Sequence, residues 1–238
     1  MNTRFSPSLN GSLHVGHLWM AWLNWALARR TGGHFVLRFD DVAPLSAGET
    51  GDRQAEWSAE GEALLRRAGI EPDRITRVSD YSNGEVLRTV GGRNLWLRPP
   101  ALEGWDNVPC TPALVRARVR ADIAESIDAV IRGEELTPEL QLYEFVNDVL
   151  GAPPRRLVYL PRLRVRCGGA VETISKTHGN LQLRDLYRMA PPEEWVQRVR
   201  RAGLRRPEEG ADLGNIQTDP ILELPEGLAG DTGRGFYA

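Results

Sequence analysis

The sequence predicts an α/β fold with a parallel sheet, and three observations lead there. Residues 2–41 run strand, turn, helix, strand, and residues 126–151 run strand then helix again. With 238 residues, 41% apolar and 26% charged, the chain can build one sizeable α/β domain plus an appendage.

Residues 2–6 (NTRFS) read as the first strand, and PSLNGS after them is rich in turn-forming residues. HLWMAWLNWALARR follows with Leu18, Ala21, Trp22, Trp25, Ala26 and Ala28 at roughly helical spacing, and Thr31-Gly32-Gly33 stops that helix. HFVLRFDD (34–41) is short, continuous and apolar up to two terminal carboxylates, as a buried strand is. Glu49 to Gly69 has a helical pattern. Residues 81–121 carry Gly91-Gly92, Pro99-Pro100, Pro109 and Pro112 and read as a compact connecting insertion.

SIDAVIRGEE (126–135) returns to a buried strand, and Thr137-Pro138 then opens a helix to Leu150-Gly151, with Thr137 as its N-cap. RRLVYLPRLRV (155–165) is strand-like, TISKTHGN a loop, and LRDLYRM and PPEEWVQRVRRAG are helical. From about Pro207 the chain is rich in Gly, Pro and Asp and is expected to be loosely structured.

Composition narrows the function. No run of eighteen apolar residues is present, so no membrane span is expected, and the first residues lack a charged-then-apolar signal layout, which implies the cytoplasm. Cys110 and Cys167 match no metal-ligand spacing, so no metal site is expected. The net charge of −2 gives no global drive toward nucleic acid. Of the thirty Lys plus Arg, twenty-nine are Arg, which makes Lys176 an exception worth explaining, because a lysine is a compact, mobile point charge where an arginine is a planar fork.

Two segments carry candidate chemistry. His14-Val15-Gly16-His17 stands where the first turn becomes a helix. A helix start offers free N–H groups and a positive dipole end to phosphate, Gly16 lets a ligand approach the backbone, and His14 and His17 can donate to phosphate oxygens. Alone, so short a pattern also describes an ordinary capped helix start. Thr173-Ile174-Ser175-Lys176 places the one lysine in a small-residue loop, suited to neutralising a leaving pyrophosphate. Alone, it also describes a surface loop.

Taken with Arg4-Phe5-Ser6-Pro7-Ser8 and LRFDD, the first motif resembles the opening of the glutamyl/glutaminyl-type class I aminoacyl-tRNA synthetases, almost unbroken over residues 3–41. TISK resembles that family's second signature, with Lys176 at its second lysine and Thr173 replacing the first. ADIAESIDAVIRGEELTPELQLYEFVNDVLG (121–151) resembles a third family segment at Asp122, Arg132, Gly133, Glu134 and Glu135.

The resemblance implies a Rossmann-like sheet of the class I synthetase (HUP) type, with a short inserted subdomain and a small C-terminal helical extension. It implies ATP and Mg²⁺ as cofactors, with His14, His17 and Lys176 catalytic, and Gly16 and Ser175 joining them around the nucleotide. Arg4, Ser6, Ser8, Asp40 and Arg132 would hold the amino acid: Arg4 its side-chain end, Ser8 and Asp40 its α-amino group. At two pocket positions the family's tyrosine and asparagine are replaced by Leu114 and Arg118. Arg118 adds a cation, so Arg4 and Arg118 together would draw in an acidic side chain, which implies glutamate or a similar amino acid.

A catalytic domain over residues 1–190, with the insertion at about 81–121, and an extension over 191–238 are expected, with no anticodon-binding domain. This layout is like that of the glutamyl-queuosine tRNA synthetases. A tRNA is then the implied acceptor, through its acceptor stem or its anticodon loop. An adenylate-forming amide ligase without tRNA, and a non-catalytic nucleotide- or RNA-binding paralogue, are the alternatives.

Overall fold

A computed structural model of the chain describes residues 1–42, 51–81, 112–167, 170–174 and 181–225. At its centre are five parallel strands, β1 (Thr3–Phe5), β2 (Phe35–Phe39), β3 (Arg74–Arg77), β4 (Ala129–Gly133) and β5 (Arg156–Leu160), side by side in the order β3-β2-β1-β4-β5. The chain fills one half outward from β1 and then crosses back to fill the other, so β1 and β4 flank the topological switch point. Open parallel sheets bind ligands at such a point, beyond the carboxyl ends of the strands. The only register pair between these two strands is Thr3 with Ala129. Beyond it β1 and β4 part, and the gap opens where Arg4, Phe5, Ile131 and Arg132 stand.

Side chains along a strand alternate between faces, and here the alternation sorts apolar from charged. Phe35, Leu37 and Phe39 of β2 and Ala129 and Ile131 of β4 enter one large cluster, which α1 (Val15–Arg30), α5 (Leu183–Met189) and α6 (Pro192–Gly203) also supply. Leu64 and Leu65 of α2 (Gly51–Arg67) join it. Val36 and Val130 enter a second cluster with α3 (Pro112–Ala124) and α4 (Leu140–Val149) on the opposite face. Arg4, Arg38, Asp40 and Arg132 share the parity of Val36 and Val130, and their ion-pair partners lie on α3, just past its end, and on the turn before α4.

Helix α1 is buried around most of its girth, with Val15, Leu18, Trp19, Trp22, Leu23 and Leu27 all inside. It meets the sheet on one side and α6 on the other, and a helix apolar on every side is one that is covered on every side. Gly203 ends α6 directly over Trp19: a Cβ there would lie 2.4 Å from the indole.

Several elements differ from expectation. The insertion expected at 81–121 contains the first residues of α3, whose Pro112 occupies the first turn, where a missing N–H costs nothing; residues 82–111 lie outside the described residues. Thr137 does not cap α4. A 3₁₀ turn over Glu134–Glu139 precedes that helix, and the Thr137 hydroxyl donates back to the Glu134 carbonyl at 2.6 Å. The stretch 155–165 is two strands, because Pro161 ends β5. After it β6 (Arg164–Cys167) enters a second sheet, antiparallel to β7 (Ala170–Thr173) and parallel to β8 (Ile221–Glu223). The tail expected to be loose therefore supplies a strand. The boundary expected near residue 190 falls between α5 and α6, and both helices bury residues in the same cluster, Leu183, Leu186, Trp195 and Val199 among them.

Candidate active site

The turn after β1 brings the chain back onto the end of β2: Asp40 N–H donates to the Pro7 carbonyl at 3.0 Å, and Leu9 N–H to the Asp40 carbonyl at 3.3 Å. This pairing fixes Ser6, Ser8 and Asp40 beside one another at the sheet edge. The chain then enters α1 through His14, whose extended backbone makes it the N-cap.

Both histidines serve the helix start. Gly16 N–H donates to His14 Nδ1 and His14 N–H donates to His17 Nδ1, each at 3.1 Å, and the rings stack 3.8 Å apart. This is a capping box built from imidazoles in place of a hydroxyl and a carboxylate. An Nδ1 that accepts carries no proton, so in the neutral ring the proton resides on Nε2 of each histidine. Ring donors and the first N–H groups of α1 are thereby presented at one place.

A cavity of about 430 Å³ lies at the switch point. Arg4, Ser6, Ser8, His14, Gly16, His17, Asp40, Arg118 and Arg132 all line it, so nine residues singled out from the sequence converge. Trp19, Leu136 and Ile174 add apolar wall that the sequence did not single out for this purpose. Ile174 belongs to the second motif and follows β7; its Cδ1 lies 4.0 Å from the place a Cβ on Gly16 would take. The two motifs thus meet at Ile174 and Gly16, while Ser175 and Lys176 lie outside the described residues. Leu114 packs in the apolar cluster of α3, α4 and the sheet, and is absent from the cavity wall among the described residues. It sits one turn ahead of Arg118 on α3, and its short aliphatic side chain ends in that layer.

The electrostatics correct one expectation. Arg4 and Arg118 are not two open cations. Arg4 Nε is 3.0 Å from Asp122, a carboxylate that Arg38 Nη1 (2.8 Å) and the Tyr143 hydroxyl (2.7 Å) also meet. Arg38, fully buried, also pairs with Glu125. Arg118 bonds Asp40 Oδ2 through Nε at 3.0 Å and Nη2 at 2.5 Å, and its Nη1 is 3.1 Å from Glu139 Oε2. The same oxygen is 3.0 Å from Arg132 Nη1. Four guanidiniums here face four carboxylates.

Burial alone would raise the Asp122 carboxyl, but Arg4 and Arg38 beside it hold it well below the usual carboxylate range. Burial, and then the Asp122 charge, push the Tyr143 phenol up. Two groups on the cavity wall keep unmet bonding capacity: Asp40 Oδ1, and Nε and Nη2 of Arg132. The Arg132 guanidinium is held between the rings of Tyr143 and Tyr159, at 5.2 and 5.4 Å. Glu139 escaped sequence reasoning. A carboxylate after Thr-Pro reads as a solvated first-turn residue, and only the facing arginines reveal that it is 2% exposed.

Known proteins share parts of this chain. Residues 1–86 match the sequence model of the family described as tRNA synthetases class I (E and Q), catalytic domain. A glutamate–tRNA ligase of Cereibacter sphaeroides is 40% identical over 81 residues, covering 33% of this chain and 16% of that protein. The cytoplasmic glutamine–tRNA ligase of Arabidopsis thaliana is 38% identical over 79 residues, 33% of this chain and 9% of its own length. The chain therefore spans less than a fifth of these curated relatives. A crystal structure of a glutamate tRNA ligase from Elizabethkingia meningosepticum in complex with its amino acid superposes with a TM-score of 0.67 at 15% identity, covering 96% of this chain and 68% of that one. At that identity the likeness establishes the fold, a class I synthetase sheet of Rossmann type.

Proposed function

We propose that this chain, whose residues 1–86 match the sequence model of the class I (E and Q) tRNA synthetase catalytic domain, activates an amino acid as its adenylate. The acyl group would then pass to a tRNA, in the cytoplasm. The observation that carries this reading is the meeting of two chemically distinct motifs at one cavity: the histidine-capped start of α1 and, through Ile174, the loop that bears the one lysine.

ATP fits what is present. The α1 start offers N–H groups, Gly16 leaves space beside them, and the imidazoles carry Nε2 protons; together they suit the phosphates and the negative charge that grows on them. Among the described residues no cluster of His, Cys, Asp or Glu could hold a metal. Mg²⁺ would therefore be held by phosphate oxygens and water, as is common for this ion. Lys176 follows Ile174 by two residues, a span of about 7 Å at most, which supports a role for its ammonium at the pyrophosphate. Asp40 and Ser8 would orient the ammonium of the amino acid, so that its carboxylate attacks the α-phosphate without a covalent protein intermediate. No described helix is long and apolar enough to cross a membrane.

Amino-acid-dependent ATP–pyrophosphate exchange tests the proposal. Exchange should appear with at least one amino acid and fall about 10²-fold or more in Lys176→Ala, whose melting temperature should be unchanged. No exchange with any amino acid, with or without bulk tRNA, would refute activation. An RNase-sensitive acyl product identifies tRNA as the acceptor; an RNase-resistant one would overturn that half of the reading.

A further inference from the structure

We propose that Glu139 decides the charge of the amino acid accepted, by engaging the cavity arginines from within. The pocket would then take an uncharged side chain bearing a hydrogen-bond acceptor and turn away a carboxylate. The inference rests on the activation reading and refines its substrate.

Four guanidiniums line the cavity wall, at Arg4, Arg118, Arg132 and Arg162, and each is already paired with a carboxylate of the chain. Glu139 is central: one oxygen serves Arg118 and Arg132 at 3.1 and 3.0 Å, and the residue is 2% exposed, so water does not compete for it. A substrate carboxylate would meet guanidiniums whose charge is cancelled about 3 Å away, while Glu139 and Asp40 repel it. Desolvating an anion is recovered only against an uncompensated cation, and none of these four is one, Arg162 being paired with Glu135.

What the wall lacks are partners for particular atoms. Arg132 is 6% exposed and held between two tyrosine rings, yet its Nε and Nη2 have no acceptor, and Asp40, 1% exposed, has none of its Oδ1 capacity used. Buried polar atoms without partners are costly, and a ligand that supplies them gains accordingly. Both sets of atoms are covered by neighbouring groups, Tyr159 among those at Arg132, so a ligand meets them only as those side chains shift; a carbonyl oxygen on the side chain would then suit the Arg132 donors, and an ammonium Asp40 Oδ1. A zwitterion with a neutral, carbonyl-bearing side chain provides both without adding net charge. An aliphatic side chain leaves the Arg132 donors unmet.

The test is calorimetric titration of the full chain with ATP and with the glutaminyl, glutamyl and leucyl sulfamoyl-adenosine analogues. We expect ATP to bind, and the glutaminyl analogue to bind about tenfold or more tighter than either of the others. In Glu139→Gln the ratio of glutamyl to glutaminyl affinity should rise by about tenfold or more. A wild-type preference for the glutamyl analogue, equal binding of the leucyl analogue, or an unchanged ratio in a folded Glu139→Gln would overturn the proposal. The wild-type ranking decides the matter if that variant does not fold. Failure of ATP to bind would instead overturn the activation reading beneath it.

Discussion

The Cδ1 atom of Ile174 lies 4.0 Å from where a Cβ on Gly16 would stand, so the residue that follows β7 closes against the start of α1. That Cβ would also lie 3.0 Å from Cε1 and 3.1 Å from Nδ1 of His14. In Gly16→Ala the imidazole must shift by a few tenths of an ångström, which disturbs the cap. The lost cap and the gained helix propensity are each worth about 1 kcal/mol and oppose one another. Thermal stability should therefore hold within about 1 kcal/mol, while ATP affinity falls about tenfold. Melting curves beside ATP titrations check this, and a large stability loss with intact affinity would contradict it.

Asp122 anchors Arg4 and Arg38, so Asp122→Asn strips Arg4 of its counter-charge and leaves Arg38 with Glu125. Breaking a buried pair from one side costs about 3–5 kcal/mol, readable in urea unfolding. The acid dependence follows from the lowered carboxyl. Its stabilisation is complete above the ordinary aspartate value of about 4 and is lost as pH falls below that, toward the folded-state value. The wild type should weaken on that acid limb, and Asp122→Asn should show a flatter one.

Arg118 joins two carboxylates that are themselves almost unexposed, Asp40 and Glu139. Arg118→Ala should be destabilising, and Asp40→Asn in the same chain should recover part of the loss. A double-mutant cycle should give a coupling of about 1–3 kcal/mol between the two. Additive effects would mean that the ion pair contributes nothing to the folded state.

Gly203→Ala places a methyl group within 2.4 Å of the Trp19 ring. Trp19 is buried at 1% exposure, so it can yield only toward the cavity that it lines. Overpacking of this kind costs about 1–3 kcal/mol. Chemical denaturation followed by tryptophan fluorescence reads the loss and any shift of the indole.

The βαβ opening was legible because β2 is a continuous apolar run and α1 ends in Thr-Gly-Gly. Strand β3 was not, since RITR at a sheet edge is mostly exposed and gives no apolar signal. Helix α3 was obscured by arginines interleaved with its apolar residues and by the prolines ahead of it. In the candidate site, many of the polar residues that line the cavity were readable from the motifs. The buried counter-charges were not, because Asp122, Glu125 and Glu139 acquire meaning only from arginines that the fold brings across from other strands and helices.

Strand β8 completes the small sheet by lying parallel to β6, fifty-seven positions earlier: Arg164 pairs with Ile221 and Arg166 with Glu223. During synthesis the first βαβ unit can assemble while the rest of the chain is still being made, because its contacts are close in sequence. The hairpin that leads to Ile174 has no such independence. Its outer edge stays open until residues 221–223 have left the ribosome. The α1 end of the cavity is therefore shaped early and the side at Ile174 late, so a ribosome-stalled nascent chain ending before β8 should hold a formed α1 beside an unfinished wall.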